Sequence, residues 1–124
     1  MTAAKSILLV EDEVLLCWVL EEALQADGHR VVTRTSGDAG LAAPEEGRFD
    51  LLVTNIRLKD GPDGWELARR ARELHPDICV LYVSGDSVAQ HPAQGVPESM
   101  MLAKPFEPER LRQTVRELVE RCGD

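Results

Sequence analysis

The chain has 124 residues, 44% of them hydrophobic and 29% charged, the make-up of one ordinary globular domain and too apolar for a disordered segment. Fourteen Lys and Arg against 22 Asp and Glu leave a net charge of −8, which argues against direct nucleic-acid binding, since phosphates require a basic face. No apolar run is long enough to cross a bilayer, and the opening MTAAKSILLV is stopped at once by acids, unlike a signal peptide.

Three widely separated cysteines, Cys17, Cys79 and Cys122, point to neither a disulfide framework nor a zinc site. Cys17 and Cys79 read as small core residues and Cys122 as a free thiol. The expectation is a reduced, cytoplasmic protein whose single domain spans residues 1–124, without an output domain.

In chain order, Ile7-Leu8-Leu9-Val10 is a continuous apolar run closed by charges, the pattern of a strand buried on both faces. Leu16, Val19, Leu20, Ala23 and Leu24 follow at helical spacing, with Gly28 placed to end that helix. Val31-Val32-Thr33 reads as a short strand. Ser36 is suited to cap a short Ala-rich helix that stops before Pro44. Leu51 to Thr54 is the next apolar strand, followed by a turn with Gly61, Pro62 and Gly64. Trp65, Leu67, Ala68, Ala71 and Leu74 form a helix ending before Pro76. Ile78 to Val83 and Met100 to Ala103 are further strands, and Pro108 opens a last helix carrying Leu111, Val115, Leu118 and Val119.

Unalternating strands separated by helices imply an α/β, doubly wound, five-stranded parallel sheet covered on both faces. Between Ser87 and Ser99 the breakers Pro92, Gly95 and Pro97 allow about one turn of helix, so the fourth helix should be short, displaced or mobile.

In such sheets the working crevice lies beyond the carboxyl ends of the strands. There the sequence places Glu11-Asp12-Glu13, Asn55-Ile56-Arg57, Ser84-Gly85-Asp86 and Lys104-Pro105. A Gly-rich phosphate loop is replaced by acids after the first strand, which disfavours a flavin carrier and suits a hard divalent cation, Mg²⁺ above all. Taken singly, a solvated strand end, a Ser-Gly turn and a Lys-Pro step are ordinary features. Their convergence on one sheet edge is not.

The segments ILLVEDE, FDLLVTNIRLKDGPDGWEL, VLYVSG and LAKPF, in this order and at these separations, resemble the receiver domain of two-component response regulators over essentially the whole chain. The resemblance implies a flavodoxin-like (βα)5 fold with strand order 2-1-3-4-5. It also implies Mg²⁺ held by Asp12 directly, by Glu11 through water and by the backbone carbonyl of Arg57. Ser84 and Lys104 would contact phosphoryl oxygens, and the Lys104–Pro105 bond would be cis.

The phosphoacceptor position, itself a metal ligand in this family, carries Asn55 instead of Asp. An amide is a poor nucleophile and cannot form the mixed anhydride, so residue 55 should not accept phosphate, and Mg²⁺ should bind more weakly. Retention of Glu11, Asp12, Ser84, Lys104 and Pro105 favours an engineered block in a phosphorylation-competent protein. A natural atypical receiver acting as a phosphorylation-independent adaptor is the alternative. Met101 stands where the family carries a switching aromatic ring, and Arg57 and Asp86 are placed to pair over the site mouth.

The implied partners are a sensor histidine kinase, and a histidine phosphotransfer protein or downstream regulator. A homodimer through the last helix is also open. Neither nucleic acid nor membrane is implied, and the protein is not expected to be an enzyme: receivers only assist their own phosphorylation and dephosphorylation, and Asn55 should abolish that here. His29, His75 and His91 carry no motif, and Trp18 and Trp65 read as packing residues.

Overall fold

The computed structural model describes residues 4–122. Strands β1 (Ser6–Val10), β2 (Arg30–Arg34), β3 (Leu51–Asn55), β4 (Cys79–Ser84) and β5 (Met100–Ala103) alternate with helices α1 (Val14–Ala26), α2 (Gly37–Glu46), α3 (Gly64–Leu74), α4 (His91–Gln94) and α5 (Pro108–Cys122). All four strand pairings are parallel, and the order across the sheet is β2-β1-β3-β4-β5. This is the expected α/β flavodoxin-like arrangement.

Because side chains alternate along a strand, each central strand feeds two cores. Ile7, Leu9, Leu51, Val53, Leu81 and Val83 face α1 and α5, where Leu20, Leu24, Leu111, Val115 and Leu118 close over them. Leu8, Val10, Leu52, Val80 and Tyr82 face the other way, against α2 and α3 through Ala43, Trp65, Leu67, Ala68 and Ala71. Burying each large side chain contributes about 1.5–3 kcal/mol. Double-sided burial explains why the strands read as continuous apolar runs.

Helix ends follow local chemistry. The Ser36 hydroxyl accepts from the Ala39 amide at 3.1 Å, and Asp63 accepts from the Glu66 amide at 3.0 Å, capping α2 and α3. Gly28, at φ 89°, turns the chain out of α1.

Three expectations need correction. Helix α2 does not stop before Pro44 but runs through it to Glu46. A proline in the last turn forfeits one ladder bond, and here its ring is buried while its carbonyl accepts from His75 Nε2 at 2.9 Å. Trp18 is 58% exposed rather than packed, because the buried stripe of α1 runs through Cys17, Leu20 and Leu24; Trp65 is buried as expected. Cys79 and Cys122 are not separate thiols but a disulfide, with Cα atoms 6.2 Å apart across 43 residues of sequence. Spacing along the chain does not show that the start of β4 and the end of α5 meet at one sheet edge. Cys17 is free and buried, as read from the sequence.

The breaker-rich segment behaves as its composition dictates. A single 3₁₀ turn, Val88–Gln90, leads into a four-residue α4.

Candidate functional site

Four strand ends deliver the site. Glu11 and Asp12 follow β1, Asn55 closes β3, Ser84 closes β4 and Lys104 follows β5. The Lys104–Pro105 bond is cis. Arg57, Ser84, Gly85, Asp86 and Lys104 line an open cleft of about 290 Å³ with Asn55 at its base.

The backbone under Asn55 is fixed from the other side by α3. The Gly64 amide donates to the Ile56 carbonyl at 2.7 Å, and a Cβ on Gly64 would collide with the Asn55 carbonyl. Only glycine lets the helix start this close to the strand end.

Glu11 is fully buried, with its Oε1 accepting from Lys104 Nζ at 2.8 Å and its Oε2 from the Glu13 amide at 3.1 Å. Burial pushes its carboxyl above the usual range, and the Lys104 ammonium opposes that push. Asn55 Nδ2 donates to the Arg57 carbonyl at 2.8 Å and lies 3.5 Å from both Glu11 Oε2 and Asp12 Oδ1. The three oxygen donors named from the sequence therefore surround one point, and an amide nitrogen stands at that point. Among the described residues no group of three or more His, Cys, Asp or Glu side chains is arranged to hold a metal.

Over the mouth, Arg57 Nε donates to Asp86 Oδ2 at 2.6 Å, forming the pair expected from the sequence. Asp86 also accepts from the Ser87 hydroxyl at 2.9 Å, and these contacts, Ser87 first, hold its carboxyl below the usual range. The Ser84 hydroxyl is turned toward this loop, accepting from the Ser87 amide at 2.9 Å and the Asp86 amide at 3.2 Å.

One feature beside the site was missed in the sequence. Tyr82 is completely buried, its ring packed 4.6 Å from that of Trp65 and 5.6 Å from that of His91, and its hydroxyl accepts the Val96 amide at 3.1 Å. His91 Nε2 in turn meets Ser99 Oγ at 2.9 Å, just ahead of β5, so the α4 segment is tied to the sheet through Tyr82 and closed on itself through His91. Tyr82 pairs in register with Met101, which places an aromatic ring one strand away from where the family carries it. A lone tyrosine in an apolar strand gives no hint of this.

A model of the response regulator receiver domain matches residues 7–116. The chain belongs to that family. Among relatives, this receiver is 36% identical over 116 residues to the response regulator receiver protein CpdR of Brucella abortus, covering 92% of this chain and 93% of that one. It is 35% identical over 127 residues to the sensor kinase CckA of the same organism, covering 98% of this chain but only 13% of the kinase. A crystal structure of a response regulator receiver protein from Sinorhizobium medicae superposes with a TM-score of 0.89 at 36% identity, covering 94% of this chain and 95% of that one. Receivers are signalling domains that bind Mg²⁺ and interact with histidine kinases. No helix among the described residues of this one is long and apolar enough to cross a membrane.

Proposed function

We propose that this receiver is the stand-alone, cytoplasmic module of a phosphorelay, held by Asn55 in a form that cannot be phosphorylated. The observation that carries this reading is the placement of Asn55. It sits at the base of a cleft where Glu11, Asp12, the Arg57 carbonyl and Lys104 meet as a phosphoryl-transfer site requires.

The donors are hard oxygens of the kind Mg²⁺ prefers. They fit the ion once Asn55 turns its amide oxygen inward and gives up its bond to Arg57, with Asp12 a direct ligand and Glu11 acting through water. Bound there, Mg²⁺ would neutralise charge between the acceptor and the incoming phosphoryl group. Exchanging a carboxylate for an amide removes one negative charge and weakens that binding. Lys104 supplies the fixed cation, and Ser84, after rotation away from the 86–87 loop, a hydroxyl donor.

A kinase or phosphotransfer protein bringing a phosphohistidine to residue 55 must dock over this edge. Val14, Leu15, Trp18 and Val19 of α1 begin two residues beyond Asp12 and are 68%, 77%, 58% and 40% exposed. They form an apolar face beside the cleft that suits a helical partner.

A second reading is favoured by the Asn55–Arg57 bond, which satisfies the acceptor position without metal or phosphate: a receiver acting by contacts alone. One experiment separates the two. Asn55→Asp is supplied with Mg²⁺ and a small acyl phosphate, and both proteins are weighed intact. Gain of one phosphoryl group by the variant alone supports the phosphorelay reading. Absence of that gain, even with a cognate kinase, supports the adaptor.

A further inference from the structure

We infer that Cys79 and Cys122 form a reversible dithiol–disulfide centre that exchanges with small peptide disulfides of the glutathione class. This centre lies at the sheet edge opposite Asn55 and is independent of the phosphoryl-transfer reading. Cys79 opens β4, whose far end is Ser84 in the cleft, and Cys122 ends α5.

Three observations support it. The bonded pair has a Cα separation of 6.2 Å, within the range that a disulfide spans without backbone movement. The two cysteines differ in access, Cys79 being 4% exposed and Cys122 half-buried on the last turn of a helix, where fraying is easiest. Both line a cavity of about 520 Å³ that also presents Lys5, Arg48, Asp50 and Asp77. Side chains of both signs suit a peptide thiol bearing carboxylates and an ammonium group. Cys17 takes no part. It is buried on α1, and burial pushes its thiol up to about 11.

The exchange balances in two steps. The Cys122 thiolate attacks one sulfur of oxidised glutathione, forming a mixed disulfide and releasing one glutathione thiolate. The Cys79 thiolate then attacks the Cys122 sulfur, closing the protein disulfide and releasing the second glutathione thiolate. Each cysteine loses one proton, the pair loses two electrons, and one glutathione disulfide is reduced to two thiols. Closure ties α5 to β4 across 43 residues of sequence.

The test equilibrates the full chain in glutathione buffers from fully reduced to fully oxidised, followed by acid quench, alkylation and intact mass. The expected result is three alkylated cysteines at the reducing end and one at the oxidising end, with no bound glutathione. The thermal midpoint should rise by roughly 10 °C on closure. Cys79→Ser should trap one glutathione on Cys122, whereas Cys122→Ser should leave Cys79 unmodified in the folded protein. Three alkylated cysteines at every ratio, or a stable mixed disulfide on the unsubstituted chain, would overturn the inference.

Discussion

Asn55 Nδ2 donates to the carbonyl of Arg57 at 2.8 Å, and that carbonyl is one of the oxygens proposed above to hold Mg²⁺. The orientation of the amide follows from this bond, since a carbonyl can only accept. An uncharged N–H group thus stands between two acids that flank it at 3.5 Å, where the proposed ion would sit. The chain should melt at nearly the same temperature in EDTA and in millimolar Mg²⁺. Asn55→Asp gathers a third carboxylate beside Glu11 and Asp12, so it should be less stable in EDTA. It should recover about 1.4 kcal/mol when Mg²⁺ exceeds its Kd about tenfold. Calorimetric titration of both proteins with Mg²⁺ alone checks this.

The Arg57–Asp86 pair spans the mouth of the cleft at 2.6 Å, with both side chains largely exposed. Its contribution to stability is small for that reason. Its expected effect is kinetic, through restricting water's approach to residue 55. In the Asn55→Asp background, adding Asp86→Ala should shorten the acyl-phosphate lifetime severalfold and leave the melting temperature within about 1 °C. An unchanged lifetime, measured by loss of the phosphorylated mass, removes this role.

At the other end of the molecule, Asp27 anchors α1 to α5. Its Oδ1 accepts from Arg112 Nη2 at 2.6 Å and from Arg116 Nη2 at 3.3 Å, and these bonds, Arg112 first, hold its carboxyl below the ordinary 3.8. The folded protein therefore binds this proton less readily than the unfolded chain. Stabilisation is complete above the unfolded value and is lost as pH falls through the folded one. Asp27→Asn should lower the melting temperature at pH 7 by roughly 3–8 °C and flatten its decline below pH 4. Parallel melts from pH 7 to pH 2.5 give the comparison.

Tyr82→Phe deletes only the acceptor for the Val96 amide, which is buried. An orphaned buried donor costs about 1–3 kcal/mol. Exchange of the Val96 amide should accelerate together with those of the α4 segment, while β1 and β3 amides fall only with global stability. Uniform acceleration across the sheet would show that the tether has no local effect.

What the sequence revealed depended on whether the deciding interaction was local. The central strands were legible because burial on both faces fills them with apolar runs such as those around Leu8 and Val53. The Ser36 cap and the short α4 followed from single residues acting on their own backbone. The grouping of the candidate site residues was legible because each lies at or just past a strand end, where a parallel sheet makes chain order predict proximity. Trp18 was misread because one step around a helix, about 100°, separates it from Cys17. Cys79 with Cys122, and Tyr82 with Trp65 and His91, were invisible because tertiary packing alone brings them together.

Gly64 carries a wider consequence. By seating α3 directly against the Asn55 carbonyl, it fixes the strand end independently of which side chain residue 55 bears. Shape and chemistry are thereby uncoupled: an acid or an amide can occupy the position with the same backbone beneath it and the same α1 face beside it. Under the proposed function, a copy with the amide would present a partner with the outline of a working receiver and no acceptor carboxylate. Mixed with a phosphorylatable copy, it should act as a decoy, slowing phosphoryl transfer to that copy in proportion to its own concentration.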